Sequence, residues 1–292
     1  NSTLAMDAAL LEQLKQWKPD FIVADSMALW GKLIAKKLNI PFVSSTTTFA
    51  FNKDSAKVMQ GSIKDLFKVL IQMGKAQKHI KRLQENGYDI KNVFEIIQND
   101  NDTNTIVYTS PEFQPYSDTF SDKYVFVGPS IRPTNNVFEK TREKLVYISM
   151  GTVNNDMTIF YKNCIDAFKD SNYQVVLSVG SQVDIKQLEE YVTKSKSENK
   201  AQFHVLPYVD QIAVLEKADV FLTHCGMNSV SEALYFKVPL VMYPQTNEQK
   251  GVAFRVNELE AGLYLNGDSV SEIQMVLKEL MQQSKYKEQA TV

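Results

Sequence analysis

A run of small and polar residues between an apolar stretch and a helical pattern could bind an anion. The apolar stretch Val220–Thr223 leads into His224 and a Cys-Gly pair, and helical spacing begins near Asn228. Asn228 and Ser229 are favourable N-cap residues, and Gly226 permits a tight turn with close backbone approach. The first turn of a helix presents unpaired N–H groups and the positive end of the helix dipole. The sequence therefore predicts a phosphate-binding turn, although such a turn is by itself a weak signal.

A carboxylate lies one helical turn beyond this predicted phosphate site. Glu232 follows Ser229 by three residues and Asn228 by four, so all three side chains share a helix face. A carboxylate would repel a phosphate, but it can accept two hydrogen bonds from vicinal hydroxyl groups. The pattern therefore suits a phosphate followed by a ribose.

Further strand-like stretches end in groups that suit the other parts of a nucleotide. Thr152 follows one stretch in a Gly-Thr pair, and Tyr208 follows another with a ring that can stack on a base. Glu248 and Gln249 follow a third stretch and form a polar pair. Ligands of open α/β sheets bind at the carboxyl ends of the strands. Together these loops predict a site for a nucleoside diphosphate that carries a polyhydroxy group.

The elements that must position these loops alternate along the whole chain. Apolar stretches of strand length are separated by longer helical patterns, and most of the stretches are continuous, as in strands covered on both faces. This repetition predicts an α/β fold with parallel sheets. The predicted strands are 21–24, 41–45, 105–109, 124–127, 145–150, 174–179, 202–206, 220–223, 240–243 and 262–265.

The length of 292 residues is typical of two domains. Residues 129–144 contain two prolines and alternating charges without helical or strand periodicity, so they are predicted to be a linker. Residues 145–292 contain enough strands for a complete doubly wound domain. Residues 1–128 contain fewer, and this first domain is expected to be incomplete at its front edge.

Composition excludes several classes of protein. The net charge of −2 does not favour nucleic acid as a partner. No apolar run approaches the ~20 residues of a membrane span, and no secretory signal opens the chain, so a cytoplasmic protein is expected. The two cysteines rule out a disulfide scaffold and a four-cysteine zinc site.

The strings HCGMNSVSEAL, at 224–234, and PQTNEQ, at 244–249, resemble the UDP-dependent glycosyltransferase superfamily of GT-B fold. The resemblance extends over nearly the whole chain and is closest to bacterial natural-product (macrolide-type) enzymes. It implies two doubly wound Rossmann-like domains facing a cleft, the N-terminal one incomplete here. It also implies that no metal and no cofactor are needed, since the UDP-sugar is a co-substrate.

The resemblance implies a role for each donor-site residue. The ring of Tyr208 stacks on uracil and the backbone of Val209 reads the base edge. Glu232 binds the ribose, and Gln211 matches the glutamine of a Pro-Gln pair. The diphosphate is held by the matching positions Thr152, His224, Asn228 and Ser229, the sugar by Glu248 and Gln249, and the turn also includes Gly226 and Met227.

Three positions depart from the family pattern. Tyr208 stands where tryptophan is usual, Asp210 where proline is usual, and Met227 where the plant enzymes have tryptophan. The smaller ring at position 208 predicts a weaker preference for uridine, so the identity of the donor is less certain than its binding.

In the first half, the resemblance assigns Asp25 as the carboxylate that orients a catalytic histidine. The implied reaction is inverting transfer, in which the histidine takes a proton from the acceptor hydroxyl. None of the three histidines, His79, His204 and His224, precedes Asp25. The chain is therefore expected to be a fragment that lacks the catalytic base. The acceptor is expected to be a small apolar or lipid hydroxyl compound, bound near Trp30, Ser45, Thr46 and Phe49.

Two other motifs and two other functions remain as alternatives. The basic segment 63–83 has helical apolar spacing and is interpreted as a solvated helix over the acceptor pocket, with peripheral membrane contact as the alternative. The Asp100–Asp102 motif is interpreted as a solvated turn rather than a metal site. The alternatives to a transferase are a GT-B sugar-nucleotide epimerase and a non-catalytic UDP-sugar-binding fragment.

Overall fold

The computed structural model describes residues 2–52, 77–91, 101–151, 157–195 and 201–290. They form two compact units, Asn1–Ser130 and Ile131–Val292. The division lies within the segment 129–144. All ten predicted strands are present, and their ends differ from the predicted ones by two residues or fewer.

The first unit contains a four-stranded parallel sheet of order β1-β2-β3-β4. The strands are β1 (Ile22–Asp25), β2 (Phe42–Thr46), β3 (Asn104–Val107) and β4 (Tyr124–Phe126). Helix α1 (Ser2–Trp17) precedes β1, α2 (Leu29–Leu38) connects β1 to β2, and residues 77–85 are also helical. Side chains of β1 alternate between half-buried and exposed positions, unlike those of a strand covered on both faces.

Helix α2 shows how local sequence sets an element of this unit. Its apolar face buries Leu33, Ile34 and Ala35. The helix ends at Asn39, which adopts the left-handed conformation with φ of 54°. Asparagine is one of the few residues other than glycine that visits this region readily, so the chain turns here into β2.

The second unit contains a six-stranded parallel sheet of order β10-β9-β8-β5-β6-β7. The strands are β5 (Lys144–Ser149), β6 (Tyr173–Ser178), β7 (Gln202–Leu206), β8 (Val220–Thr223), β9 (Leu240–Met242) and β10 (Gly262–Tyr264). The order reverses between β5 and β8, which pair directly through Val146–Val220 to Ser149–Thr223. A reversal of this kind opens a crevice at the carboxyl ends of the strands.

Helices cover both faces of this sheet. They are α3 (Thr158–Phe168), α4 (Ile185–Ser195), α5 (Gln211–Leu215), α6 (Met227–Tyr235), α7 (Asn247–Glu258), α8 (Val270–Gln282) and α9 (Lys285–Gln289). The central strands are buried along their length, which explains their continuous apolar sequences. The large buried core includes Ile148, Phe160, Leu177 and Leu222. This rigid core fixes the spacing of the loops that leave the strand ends.

Residues 131–144, here called the connecting segment, contain no helix or strand before β5 begins. They are nevertheless fixed to the second unit by side chains. The Thr141 N–H donates to Gln174 Oε1 at 2.8 Å, and Lys140 forms an ion pair with Asp219 at 2.6 Å. Among the described residues, no helix is both long and apolar enough to cross a membrane.

Candidate functional site

The turn between β8 and α6 presents the first N–H groups of a helix at the carboxyl edge of the sheet. Helix α6 begins at Met227, and Gly226 is its N-cap residue, with φ of −63° and no side-chain cap. The prediction that Asn228 and Ser229 cap the helix is therefore wrong. The chain reverses earlier, because Cys225 adopts a left-handed φ of 66°. Asn228 and Ser229 instead lie in the first turn, where their N–H groups have no intrahelical acceptor and suit an anion.

The imidazole of His224 lies between two glycines from neighbouring strand ends. A Cβ atom on Gly151 would lie 2.7 Å from the His224 Nε2, and one on Gly226 would lie 2.9 Å away. Gly151 also has φ of +82°, which disfavours any other residue. Burial lowers the pKa of His224, and the backbone of Ser149 partly opposes this effect. The loop after β5 and the turn after β8 therefore meet around a neutral ring.

A hydrogen-bonded cluster surrounds the predicted ribose carboxylate. Gln211 Nε2 donates to Glu232 Oε2 at 2.5 Å and to Ser229 Oγ at 3.2 Å. The Tyr147 hydroxyl donates to Gln211 Oε1 at 3.1 Å, which fixes the orientation of the amide. The Tyr147 ring is buried and stacks on Phe221 with centroids 4.6 Å apart. Burial raises the pKa of Tyr147 far above its ordinary value, so the hydroxyl remains protonated as a donor.

Sequence reasoning identified Gln211 and Glu232 in this cluster but missed Tyr147. Tyr147 lies in a continuous apolar strand and looks like a core residue. The available signal was the hydroxyl itself, because a buried tyrosine hydroxyl usually requires a hydrogen-bond partner.

The loop after β7 carries the predicted base-binding residues. The Tyr208 side chain is 57% exposed, so its ring is accessible for stacking. Val209 is half-buried, and Asp210 caps α5 by accepting a hydrogen bond from the Ala213 N–H at 3.3 Å. Asp210, which stands where the family usually has proline, is therefore the N-cap residue of the helix that begins at Gln211.

The loop after β9 carries the predicted sugar-binding pair. Glu248 is exposed, whereas Gln249 is half-buried and forms a capping box with Thr246. Gln249 Oε1 accepts hydrogen bonds from the N–H groups of Gln245 at 2.8 Å and Thr246 at 3.0 Å. The spacing of Thr246 and Gln249 is the signal that could have predicted this capping role. Only the Gln249 amide nitrogen, rather than the whole amide, is left to bind a sugar hydroxyl.

Two further predicted donor-site residues are Met227 and Thr152. Met227, the first residue of α6, is only 6% exposed. Met227 thus lies in the predicted turn, and its role in donor binding stays a prediction. Thr152 lies outside the described residues.

In the first unit, Asp25 lies at the carboxyl end of β1 with an exposed side chain. Its Oδ1 accepts a hydrogen bond from the Met27 N–H at 2.8 Å, and its Oδ2 accepts one from Thr47 Oγ1 at 3.5 Å. The Met27 hydrogen bond, with a longer one from Thr47, orients the carboxylate at a strand end, where α/β proteins bind ligands.

The predicted acceptor-binding residues differ in the exposure of their side chains. Trp30 and Ser45 are half-buried. Phe49 packs on Phe113 with centroids 5.4 Å apart. Thr46 is 3% exposed, because alternate residues of β2 face opposite sides of the sheet. The contribution of Thr46 to acceptor binding stays a prediction.

Residues 63–76 of the basic segment 63–83 lie outside the described residues, and 77–83 are helical. Asp100 likewise lies outside them, while Asp102 is exposed. Across the part of the chain that the structure describes, no group of three or more His, Cys, Asp or Glu side chains could hold a metal ion.

The second unit matches a known domain family. The model of the glycosyltransferase family 28 C-terminal domain matches residues 145–291. This range begins in β5 and contains every element of the cluster around His224 and Glu232.

Longer similarities extend into the first unit. YojK of Bacillus subtilis (strain 168), an uncharacterized UDP-glucosyltransferase, is 36% identical over 293 aligned positions, which cover 96% of this chain and 69% of that protein. The NDP-glycosyltransferase YjiC of the same organism is 37% identical over 273 positions, covering 92% of this chain and 66% of that protein. The crystal structure of CalG4, the calicheamicin glycosyltransferase, has a TM-score of 0.79 and 27% identity, covering 99% of this chain and 73% of that one.

Proposed function

The chain belongs to the UDP-glycosyltransferase superfamily of GT-B fold, and we propose that its second unit binds a uridine diphosphate sugar for transfer to an acceptor hydroxyl. Glycosyltransferase activity is common to the comparisons, and the name of YojK specifies a UDP-sugar donor.

One observation carries the donor assignment. One turn and the helix that follows it carry three kinds of group: the N–H groups of Asn228 and Ser229, the ring of His224 packed between two glycines, and the carboxylate of Glu232. Gln211 joins this helix to the loop that carries Tyr208. In our proposal the diphosphate lies at the start of α6, the ribose at Glu232 and the base on Tyr208.

The same groups account for departure of the leaving group. When the glycosidic bond to UDP breaks, negative charge develops on the β-phosphate. Fixed N–H donors and the positive end of α6 stabilise that charge without reorganisation. We propose inverting transfer, in which the acceptor oxygen attacks the anomeric carbon from the opposite face as a general base removes its proton.

Asp25 is our proposed partner of that general base. Its carboxylate is exposed at a strand end and oriented by Met27 and Thr47, and it keeps lone pairs for a further donor. The half-buried Trp30 and the Phe49–Phe113 pair support an apolar acceptor in the first unit. The proposed acceptor is therefore a small apolar or lipid compound with a free hydroxyl group.

Titration calorimetry of the 292-residue chain with UDP and UDP-glucose tests the donor site. We expect Glu232→Ala to weaken UDP binding by at least about tenfold, because a hydrogen bond to a charged group is worth about 1.5–3 kcal/mol. The control is Glu279→Ala, which removes an exposed carboxylate of α8. A parent chain that does not bind UDP, or a Glu232→Ala variant that binds it equally well, would contradict the proposal.

A second assay separates transfer from the alternative functions. Incubation with UDP-glucose and no acceptor should leave the sugar configuration unchanged. Appearance of an epimer under these conditions would favour an isomerase over a transferase.

A further inference from the structure

The residue after Val209 links the nucleotide site to a distant part of the chain. Asp210 begins helix α5 with φ of −70°, a value that a proline would also adopt. One carboxylate oxygen, Oδ1, caps the helix at the Ala213 N–H. Capping requires only this oxygen, so the second oxygen is available for another role.

The second oxygen is bound by two side chains of the connecting segment. Thr134 Oγ1 donates to Asp210 Oδ2 at 2.5 Å, and Asn136 Nδ2 donates to the same oxygen at 2.7 Å. The Asn136 N–H in turn donates to Thr134 Oγ1 at 3.0 Å, so the two residues form one local turn. Hydrogen bonds from Thr134 and Asn136 are the main cause of a lowered pKa of Asp210. An ionised carboxylate thus joins segments 74 and 76 residues apart in the sequence.

The position of this carboxylate gives the link a consequence for ligand binding. The next residue, Gln211, donates directly to Ser229 and Glu232. Two residues earlier, the exposed ring of Tyr208 is the proposed platform for the base. Movement of Asp210 would therefore displace the proposed base and ribose contacts together.

The far end of the connecting segment is attached independently. Thr141 Oγ1 donates to Gln202 Oε1 at 2.6 Å, and the Thr141 N–H donates to Gln174. These bonds join the segment to the amino-terminal ends of β6 and β7. The site lies at the carboxyl ends of the strands, on the other side of the sheet's length. Loss of the Asp210 contacts would thus free residues 134–136 without releasing the whole segment.

We propose that Asp210 is a positioning residue which holds the loop 208–211 in its nucleotide-binding conformation by binding Thr134 and Asn136, so that the connecting segment is part of the donor site. This inference rests on the proposed function. Because coupling between two sites is reciprocal, nucleotide binding must also stabilise the turn at 134–136.

A mutant cycle measured by UDP calorimetry tests the proposal. Asp210→Ser keeps a capping oxygen for Ala213 but removes the oxygen that binds the connecting segment. The double variant Thr134→Val/Asn136→Ala removes the same bonds from the other side and leaves Asp210 intact. We expect each to raise the UDP dissociation constant by about tenfold, and the combined variant to raise it no further, because all three lose one shared interaction.

Thr141→Val is the matched control, since it removes a threonine hydroxyl from the same segment away from the site. Its UDP affinity should stay within about twofold of the parent, as for surface changes away from special features. In the parent chain, UDP should also slow hydrogen exchange at residues 134–136 more than at residue 141.

The outcomes distinguish this inference from the proposed function. If the parent chain binds UDP and Glu232→Ala weakens that binding, but the Thr134→Val/Asn136→Ala variant binds UDP normally, the positioning role of Asp210 is overturned and the donor site stands. Additive effects in the cycle would also overturn it, because they would assign Asp210 a capping role only. Absence of UDP binding by the parent chain overturns both.

Discussion

At the scale of single residues, the anion turn depends on how closely a histidine ring can approach the backbone. The His224 ring occupies the space that side chains at positions 151 and 226 would need. Glycine at position 226 is not required by its backbone conformation, since φ is −63°. The requirement is steric, which makes this position a clean probe of the site.

Gly226→Ala should displace the His224 ring and weaken UDP binding by about tenfold to a hundredfold, the value of one hydrogen bond to a charged group. Calorimetry with UDP measures the change. Gly251→Ala is the control, because a Cβ atom there meets nothing within 4 Å. Gly251 lies within α7, so alanine should be neutral or stabilising by up to about 1 kcal/mol. Equal UDP affinity in both variants would contradict the steric account.

Stability should depend on the protonation of His224. Burial lowers its pKa in the folded protein, so the unfolded chain binds a proton more readily than the folded one. Stability is therefore complete above the ordinary histidine pKa of about 6.5 and decreases as the pH falls below it. Burial also lowers the pKa of His204, which acts in the same direction.

The midpoint temperature of thermal unfolding should accordingly decrease as the pH is lowered from 7.5 to 5.5. The His224→Gln substitution should make this decrease smaller. His204→Gln provides the comparison for a histidine outside the site. A His224→Gln variant whose midpoint falls as steeply as that of the parent would argue against a buried neutral ring.

At the scale of elements, continuous apolar sequence was a reliable guide to the strands of the second unit. Strands β5, β6 and β8 are covered on both faces, so most of their residues are apolar without alternation. The pairing of β9 and β10 also leaves little room for a side chain between the two strands. Gly262 of β10 lies opposite Leu240 of β9, and a Cβ atom there would lie 2.3 Å from the Leu240 backbone oxygen.

Gly262→Ala should therefore destabilise the second unit by about 1–3 kcal/mol, the usual cost of overpacking. Chemical denaturation measures the loss. Gly267→Ala serves as control, since its added Cβ meets nothing within 4 Å. Equal stability of the two variants would show that β9 and β10 can separate without cost.

At the scale of the whole molecule, the proposed nucleotide contacts all belong to the second unit. Ligand that binds one unit stabilises that unit, by about 2.7 kcal/mol at a hundredfold excess over the dissociation constant. UDP should thus slow hydrogen exchange within 131–292 and leave the described parts of 1–130 unchanged. Protection of β1 or α2 by UDP alone would contradict this assignment.

The limits of sequence reasoning follow from the range of the interactions. Turns, caps and strand periodicity are local, so the α/β fold and the residues around His224 could be predicted. The partners of Asp210 and Tyr147 are 76 and 64 residues away, and their choice depends on how whole elements pack.

The strand order of the second unit separates the tasks of recognition. In our proposal the base, the diphosphate and the sugar are bound by the loops that follow β7, β8 and β9, so each part of the donor has a loop from a different strand. If these assignments hold, we expect changes in the loop after β9 to alter which monosaccharide is accepted while nucleotide binding is retained. One loop of such a scaffold can be exchanged independently of the others. Chimaeras joined at β9 are therefore the starting point for engineering new sugar preferences.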